Sequence, residues 1–320
     1  MGPSSEIFRE FPRVNLRLLS HEDSSVLKPR ARGARAAAAL PRRMRLADGR
    51  VIRFPAVMGV LNVTPDSFSD GGRYLDRDRA IAHALEMEQQ GADIIDIGGE
   101  STRPFGARTV AVEEELSRVM PVLEALAPRL RTPISIDTRK AAVAARAIEA
   151  GAAIINDISA LEHDAAMAPV AARARAAVVL MHMRGGAENH LHFARYRDVV
   201  AEVIAYLRAR AEAAIAAGIP RLRIIIDPGI GFAKTARHNL ALLGALPRLA
   251  AVGYPVLVGS SRKRFIQRIA GSSPREIEFG TAAADTIAIA AGASIIRVHD
   301  PGAAKAVMKM AAAIRQSGAR

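Results

Sequence analysis

Eight times along this chain a short apolar run rich in β-branched residues breaks into polar groups. AVMGVLN reaches Asn62, DIIDIGGES carries Asp96 and Glu100, and PISIDTRK reaches Asp137. AAIINDIS reaches Asn156 and Asp157, AVVLMHM reaches His182, and RIIIDPG reaches Asp227. PVLVGSSRK then reaches Ser260 and Lys263, and SIIRVHD reaches Arg297 and His299. Asn62 to Arg297 is 235 residues over seven intervals. That is about 34 residues each, the size of one strand and a returning helix.

The segments between these runs carry helical spacing. RAIAHALEMEQQG places Ile81, Ala84, Leu85 and Glu88 at i, i+3, i+4 and i+7, the first three forming one apolar stripe. A glycine then follows, as a left-handed C-terminal cap requires. The same punctuation precedes the later runs in EAGAAIINDI, AAGIPRLRIIID, AVGYPVLVGS and AAGASIIRVHD. Helices alternating with strands predict a parallel sheet. Eight strands predict its closure into a (β/α)8 TIM barrel, whose active groups gather at the C-terminal strand ends. An open doubly wound sheet is the alternative. In MRLADGRVIRFP, Asp48-Gly49 between short apolar segments predicts an N-terminal hairpin. The expected organisation is an unstructured basic extension over residues 1–43 and one barrel domain over 44–318.

Composition narrows the chemistry. Half of the 320 residues are hydrophobic, yet aromatics are 4% and Trp is absent, so aliphatic side chains must fill the core. Without a single Cys, disulfides, thiolate zinc sites and a cysteine nucleophile are excluded. No apolar run approaches the roughly 18 residues of a membrane span, and MGPSSEIFREFPRV has no signal-peptide core. A cytoplasmic protein without a membrane partner is expected. The net charge is +13, and residues 1–53 hold 12 Lys/Arg against 5 Asp/Glu. Such a tail can bind nucleic acid, but no aromatic residues alternate with the basic ones as a stacking surface requires. No nucleic-acid partner is expected.

Several familiar motifs are missing. The chain has no G-x-x-x-x-G-K-[ST], no G-x-S-x-G and no H-E-x-x-H, and DPGIGFAK lacks the third glycine of the dinucleotide fingerprint. What remains is a ring of acids and amides with cations on one side. Arg262, Lys263, Arg264, Arg297 and His299 follow the last two strands, where barrels bind phosphate, and could neutralise a phosphorylated substrate. Asp96, Asp137, Asn156 and Asp227 end four strands and face one another across the mouth. Such groups suit a heterocycle rich in N–H donors and ring acceptors. For Asp96 an internal network satisfying buried polar groups is an equal reading. His182, His190 and His192 in MHMRGGAENHLH straddle a Gly-Gly loop and read as loop histidines rather than metal ligands.

Taken together, NVTPDSFSDGG, DIGGESTRP, SIDTRK, INDIS, DPGIGFAKT, GSSRKRF and RVHD resemble the dihydropteroate synthase family, in order and at its spacings from about Met58 to the C-terminus. The resemblance implies a pterin-binding (β/α)8 barrel that forms homodimers, uses Mg²⁺ and is inhibited by sulfonamides. It also implies the reaction. 6-Hydroxymethyl-7,8-dihydropterin diphosphate and p-aminobenzoate are the small-molecule substrates, condensed to 7,8-dihydropteroate and pyrophosphate. Residue by residue, Asn62 resembles the family's Mg²⁺ ligand. Thr102, Asp137, Asn156, Asp227 and Lys263, with Arg297, Val298 and His299, resemble its pterin and diphosphate contacts. Asp137, Asp227, Lys263 and Arg297 among them are the catalytic candidates. Phe68, Arg103, Pro104, Phe232 and Ser261 look like the p-aminobenzoate surroundings. One departure stands out: the family usually runs STRPGA, and here Phe105 is inserted to give STRPFGA. Two other classes remain. A methyltetrahydrofolate-dependent methyltransferase shares the fold but would not need the SRK and RVHD groups. A catalytically silent pterin-binding paralogue would usually have lost one of these motifs, and none is lost.

Overall fold

The eight apolar runs become eight parallel strands wrapped into a barrel. The computed structural model describes residues 41–64, 73–100, 109–186 and 190–317. The barrel strands are β3 (Ala56–Asn62), β4 (Ile94–Gly98), β5 (Ile134–Asp137), β6 (Ala152–Asp157), β7 (Ala177–Met181), β8 (Ile224–Asp227), β9 (Leu257–Val258) and β10 (Ile295–Val298). They follow β1 (Arg43–Arg45) and β2 (Val51–Arg53). The helices are α1 (Arg73–Gln89), α2 (Val112–Leu126), α3 (Ala141–Glu149), α4 (Met167–Ala174), α5 (Val199–Ala216), α6 (Ala236–Gly244), α7 (Leu246–Ala250), α8 (Arg264–Ala270), α9 (Pro274–Ala290) and α10 (Pro301–Ser317). The strands lie in the order β8-β7-β6-β5-β4-β3-β10-β9. A single parallel bridge from Ile226 to Val256 joins the two ends. The barrel therefore closes, and the open doubly wound alternative falls.

The five glycines that precede strands do what their position demands. Gly91, Gly151, Gly218, Gly253 and Gly292 all have φ between +90° and +110°, a region where other residues are strained. Each ends a helical segment and turns the chain back toward the sheet.

The predicted hairpin forms, with Met44 opposite Ile52 and Gly49 at its turn. Its apolar residues Met44, Leu46 and Ile52 pack with Met58, Ile94, Ile154, Val179, Ile225, Leu257 and Ile295, a layer inside the barrel. The hairpin thus plugs the N-terminal end. Its first strand starts at Arg43, one residue before the expected domain boundary. Residues 1–40 of the expected basic extension lie outside the described residues.

Because side chains alternate along a strand, the inward positions recur every second residue. Two residues beyond the apolar layer come Val60, Asp96, Asn156, Met181, Asp227, Gly259 and Arg297, with Asp137 in the corresponding place on β5 after buried Ser135. The barrel interior is apolar at its plugged end and polar one step toward the C-terminal end. That step places the site.

Candidate active site

At the C-terminal end a pocket open to solvent is lined by Val60, Asp137, Asn156, Ile158, Met181, Asp227, Ile230, Phe232, Gly259, Ser261, Lys263, Arg297 and His299. Val60, Ile158, Met181 and Ile230 give it apolar walls, against which the polar groups converge. Such a slot accommodates a flat, polar-edged molecule.

Arg297 is already paired with two acids. Arg297 Nε donates to Asp96 Oδ2 and Arg297 Nη2 to Asp137 Oδ2, both at 2.7 Å, and Asn156 Nδ2 donates to Asp96 Oδ2 at 2.9 Å. Asp96 is fully buried. It belongs to the internal network, and among the described residues its Oδ1 has no hydrogen-bond partner. Burial raises Asp137 above the usual carboxylate range, against the pull of Arg297. Asp227 accepts from the Gly229 N–H at 2.7 Å, and burial pushes its pKa up to about 6 while that bond and Lys263 restrain it. Burial, reinforced by Arg297, pushes Lys263 down to about 8. The Lys263 ammonium lies 4.2 Å from the centre of the Phe232 ring, close enough for a cation–π contact. Ser261 Oγ and His299 Nδ1 are 3.1 Å apart, and the His299 N–H donates to the same hydroxyl at 3.3 Å.

Asp137, Asn156, Asp227, Lys263, Arg297, His299, Phe232 and Ser261 therefore share one pocket. Val298 does not join them. Alternation turns its side chain outward, where it packs with Val57, Ile289, Ala304 and Met308. Arg262 and Arg264 are exposed beside the pocket and do not line it. Asn62 ends β3 half-buried, next to Gly98 and outside the pocket lining. Phe68, Thr102, Arg103, Pro104 and the inserted Phe105 lie outside the described residues. His182 does lie in the loop directly after β7 but is buried there, and burial pushes its pKa down to about 3, so the ring is neutral.

Two features were not foreseen. Lys234 is buried behind the pocket with its Nζ 3.0 Å from His182 Nδ1. Arg139 and Lys140, just past Asp137, both pair with Glu100, and Lys140 also pairs with Glu115 of α2. All four side chains are less than 10% exposed. The sequence does carry a sign of this quartet. Glu115 sits at i, i+4, i+7, i+11 with Val119, Val122 and Leu126, so an acid occupies the buried stripe of α2.

A family model described as pterin binding enzyme matches residues 58–299. The dihydropteroate synthase of Mycobacterium leprae (strain TN) is 50% identical over 269 residues, 82% of this chain and 94% of that protein. A Xanthomonas albilineans dihydropteroate synthase solved with 4-aminobenzoic acid superimposes with a TM-score of 0.80 at 45% identity, covering 86% of this chain and 98% of the other. A structure of dihydropteroate synthase from Xanthomonas albilineans in complex with 7,8-dihydropteroate gives a TM-score of 0.77 at 43% identity, covering 85% and 98%.

Proposed function

The chain belongs to the dihydropteroate synthase family of pterin-binding enzymes, and we infer from this that it condenses 6-hydroxymethyl-7,8-dihydropterin diphosphate with p-aminobenzoate. The products are 7,8-dihydropteroate and pyrophosphate. The observation that carries the reading is the convergence of Asp137, Asn156, Asp227, Lys263 and Arg297 on one apolar-walled pocket. A methyl transfer would leave Lys263, Ser261 and His299 without an anion to bind.

The pterin edge presents adjacent N–H and amino donors, and the Asp227 carboxylate accepts them in parallel. Asn156 offers both a donor and an acceptor to the same ring. As the carbon–oxygen bond to the diphosphate lengthens, positive charge develops on the methylene and spreads into the ring. Asp137 and Asp227, held in place by the Arg297 and Gly229 hydrogen bonds, stabilise that charge without reorganising. Lys263, Ser261 and His299 receive the diphosphate. Arg297 shares its guanidinium between this anion and the acids that hold it. The arylamine nitrogen then bonds to the methylene and loses a proton. A neutral amine is nucleophilic enough that no strong base is needed.

Among the described residues no cluster of three or more His, Asp or Glu side chains forms an ion cage. That fits Mg²⁺, which binds through few protein oxygens and mostly through water and substrate phosphates. Asn62 supplies a hard side-chain oxygen beside the mouth and would hold a Mg²⁺ carried on the diphosphate, whose charge it would offset. We further place the protein in the cytoplasm as a homodimer. Among the described residues no helix is long and apolar enough to cross a membrane. Ile269, Phe279, Ile287, Met310 and Ile314 on α8, α9 and α10 are each more than half exposed, an apolar face suited to a second copy.

The test is pyrophosphate release from the purified chain with each substrate omitted in turn. Release that requires both substrates supports the reading. Release without p-aminobenzoate at an undiminished rate, or none with both present, rejects it.

A further inference from the structure

The turn after β8 is held from behind by a side chain that does not line the pocket. Lys234 is 4% exposed. Its Nζ donates to the His182 carbonyl at 3.3 Å and to the Phe232 carbonyl at 2.9 Å, and it lies 3.0 Å from Nδ1 of the buried, neutral His182 ring. Burial pushes Lys234 down to about 7, against the pull of Asp227. All three hydrogen-bonding directions of the amine are used within the protein, which leaves none for a ligand. The His182 backbone N–H donates to the Asp227 carbonyl at 2.9 Å, tying the end of β7 to the end of β8.

The backbone between Asp227 and Lys234 has little conformational preference of its own. Gly229, Gly231 and Ala233 take φ of +67°, +85° and +50°, and the alanine has no glycine freedom to offset the strain. Phe232 sits among them, with its ring on the pocket and under the Lys263 ammonium. Hydrogen bonds fix where that ring points: the Phe232 N–H donates to the Gly229 carbonyl at 3.1 Å, the Gly231 N–H to Asn239 Oδ1 at 2.8 Å, and Lys234 Nζ to the Phe232 carbonyl. The last of these joins Phe232 to the His182 backbone through one side chain.

We propose that Lys234 is a positioning residue that acts through Phe232, holding its ring at the p-aminobenzoate side of the pocket. The proposal rests on the synthase reading, which assigns that side to the second substrate. Lys234 touches neither substrate, so its loss should be felt in second-substrate affinity and little in the chemical step.

A double-mutant cycle tests this on the full chain, with pyrophosphate release measured against each substrate. Lys234→Met keeps the stem and removes the amine. It is expected to raise KM for p-aminobenzoate about tenfold, with kcat and the KM for the pterin diphosphate within about threefold. In a Phe232→Ala background the same change should add less than about twofold, and Lys234→Arg, which keeps a cation for both carbonyls, should recover most of the loss. Multiplying effects in the cycle, an unchanged KM for p-aminobenzoate, or equal rises for both substrates would overturn the role. Should Lys234→Met lose its cooperative melting transition, the cycle is run with His182→Leu. That variant leaves the lysine its two carbonyls, and about a threefold rise in the same KM is expected, again absent without Phe232. A wild-type chain that makes no product rejects the synthase reading and this role with it.

Discussion

Replacing Asp227 by Asn should stabilise the fold while it disables the enzyme. Burial raises this carboxyl from 3.8 to about 6, so the folded chain resists the charge that the unfolded chain accepts freely. Two units correspond to about 3 kcal/mol. Part of that gain is lost because the half-buried Lys263 gives up a counter-charge when the carboxylate goes. Asn keeps an oxygen for the Gly229 N–H, so that bond survives. A net gain of roughly 1–2 kcal/mol above pH 6 remains, or about 2–6 °C in melting temperature. The sign follows from proton counts. Between about pH 4 and 6 the folded wild type holds a proton that the unfolded chain has lost, so wild-type stability falls as pH rises through that window. Below pH 4 the carboxyl is neutral in both states, and the two proteins should melt together. Activity moves the other way, with kcat/KM falling by about 10²–10³ for loss of a charge facing a developing cation. Calorimetric melts across pH 3.5–8 and pyrophosphate release at pH 7.5 read both effects. An Asn variant less stable than wild type at pH 7.5, or within threefold of its kcat/KM, would refute the reasoning.

Lys140→Met strands Glu115 in the interior, while Arg139 still pairs with Glu100, and should cost about 3–5 kcal/mol; a urea midpoint close to wild type would show that the Lys140–Glu115 pair contributes nothing. At Gly229 a Cβ would lie 2.0 Å from the His182 carbonyl oxygen with φ at +67°. Gly229→Ala should therefore lose at least about 3 kcal/mol, and a variant within 1 kcal/mol by denaturant unfolding would mean the turn can shift freely. Lys263→Ala should weaken binding of the pterin diphosphate by about 1–3 kcal/mol, the worth of a charge-assisted contact. Isothermal titration showing unchanged affinity would remove Lys263 from the anion side. In the wild type, kcat/KM should drop on the acid side of about pH 7 as Asp137 and then, near 6, Asp227 take up protons, and a profile flat down to pH 5 would contradict their role as charge stabilisers.

The barrel was legible because its strands announce themselves by apolar runs that turn polar and, before five of them, by a glycine where the preceding helical segment stops. The pocket was legible for a related reason: strand alternation carries Asp137, Asn156, Asp227 and Arg297 inward two residues past an apolar or small neighbour. That same alternation turns Val298 outward, which a motif read as a block overlooks. Pairings between distant elements were not legible. Nothing local in IDTRK says that its two cations reach Glu100 and Glu115, or that Arg297 is shared by Asp96 and Asp137. His182 looked like part of a polar loop because Gly185 and Gly186 follow it closely. Its burial comes from packing on Tyr206, whose ring meets it edge-on at 4.9 Å, and from Lys234, in a different loop.

The barrel is not equally strong around its circumference. Seven of its eight junctions are ladders, whereas β8 meets the chain at the two-residue β9 through one bridge, which includes the bond from Ile226 N–H to the Pro255 carbonyl. This is a seam, and it runs between the strand that carries Asp227 and the strand that leads to Lys263. Breathing there needs few hydrogen bonds to part, so amide exchange at Ile226 should outpace that at Ile95 or Ile155 deep in neighbouring ladders. A seam that gives changes the spacing between the acid that grips the ring and the lysine that meets the diphosphate, while the Asp96–Arg297–Asp137 cluster across the barrel stays fixed. The staves are tight on one side of the cask and loose on the other, and the loose side lies between the strands that lead to Asp227 and Lys263.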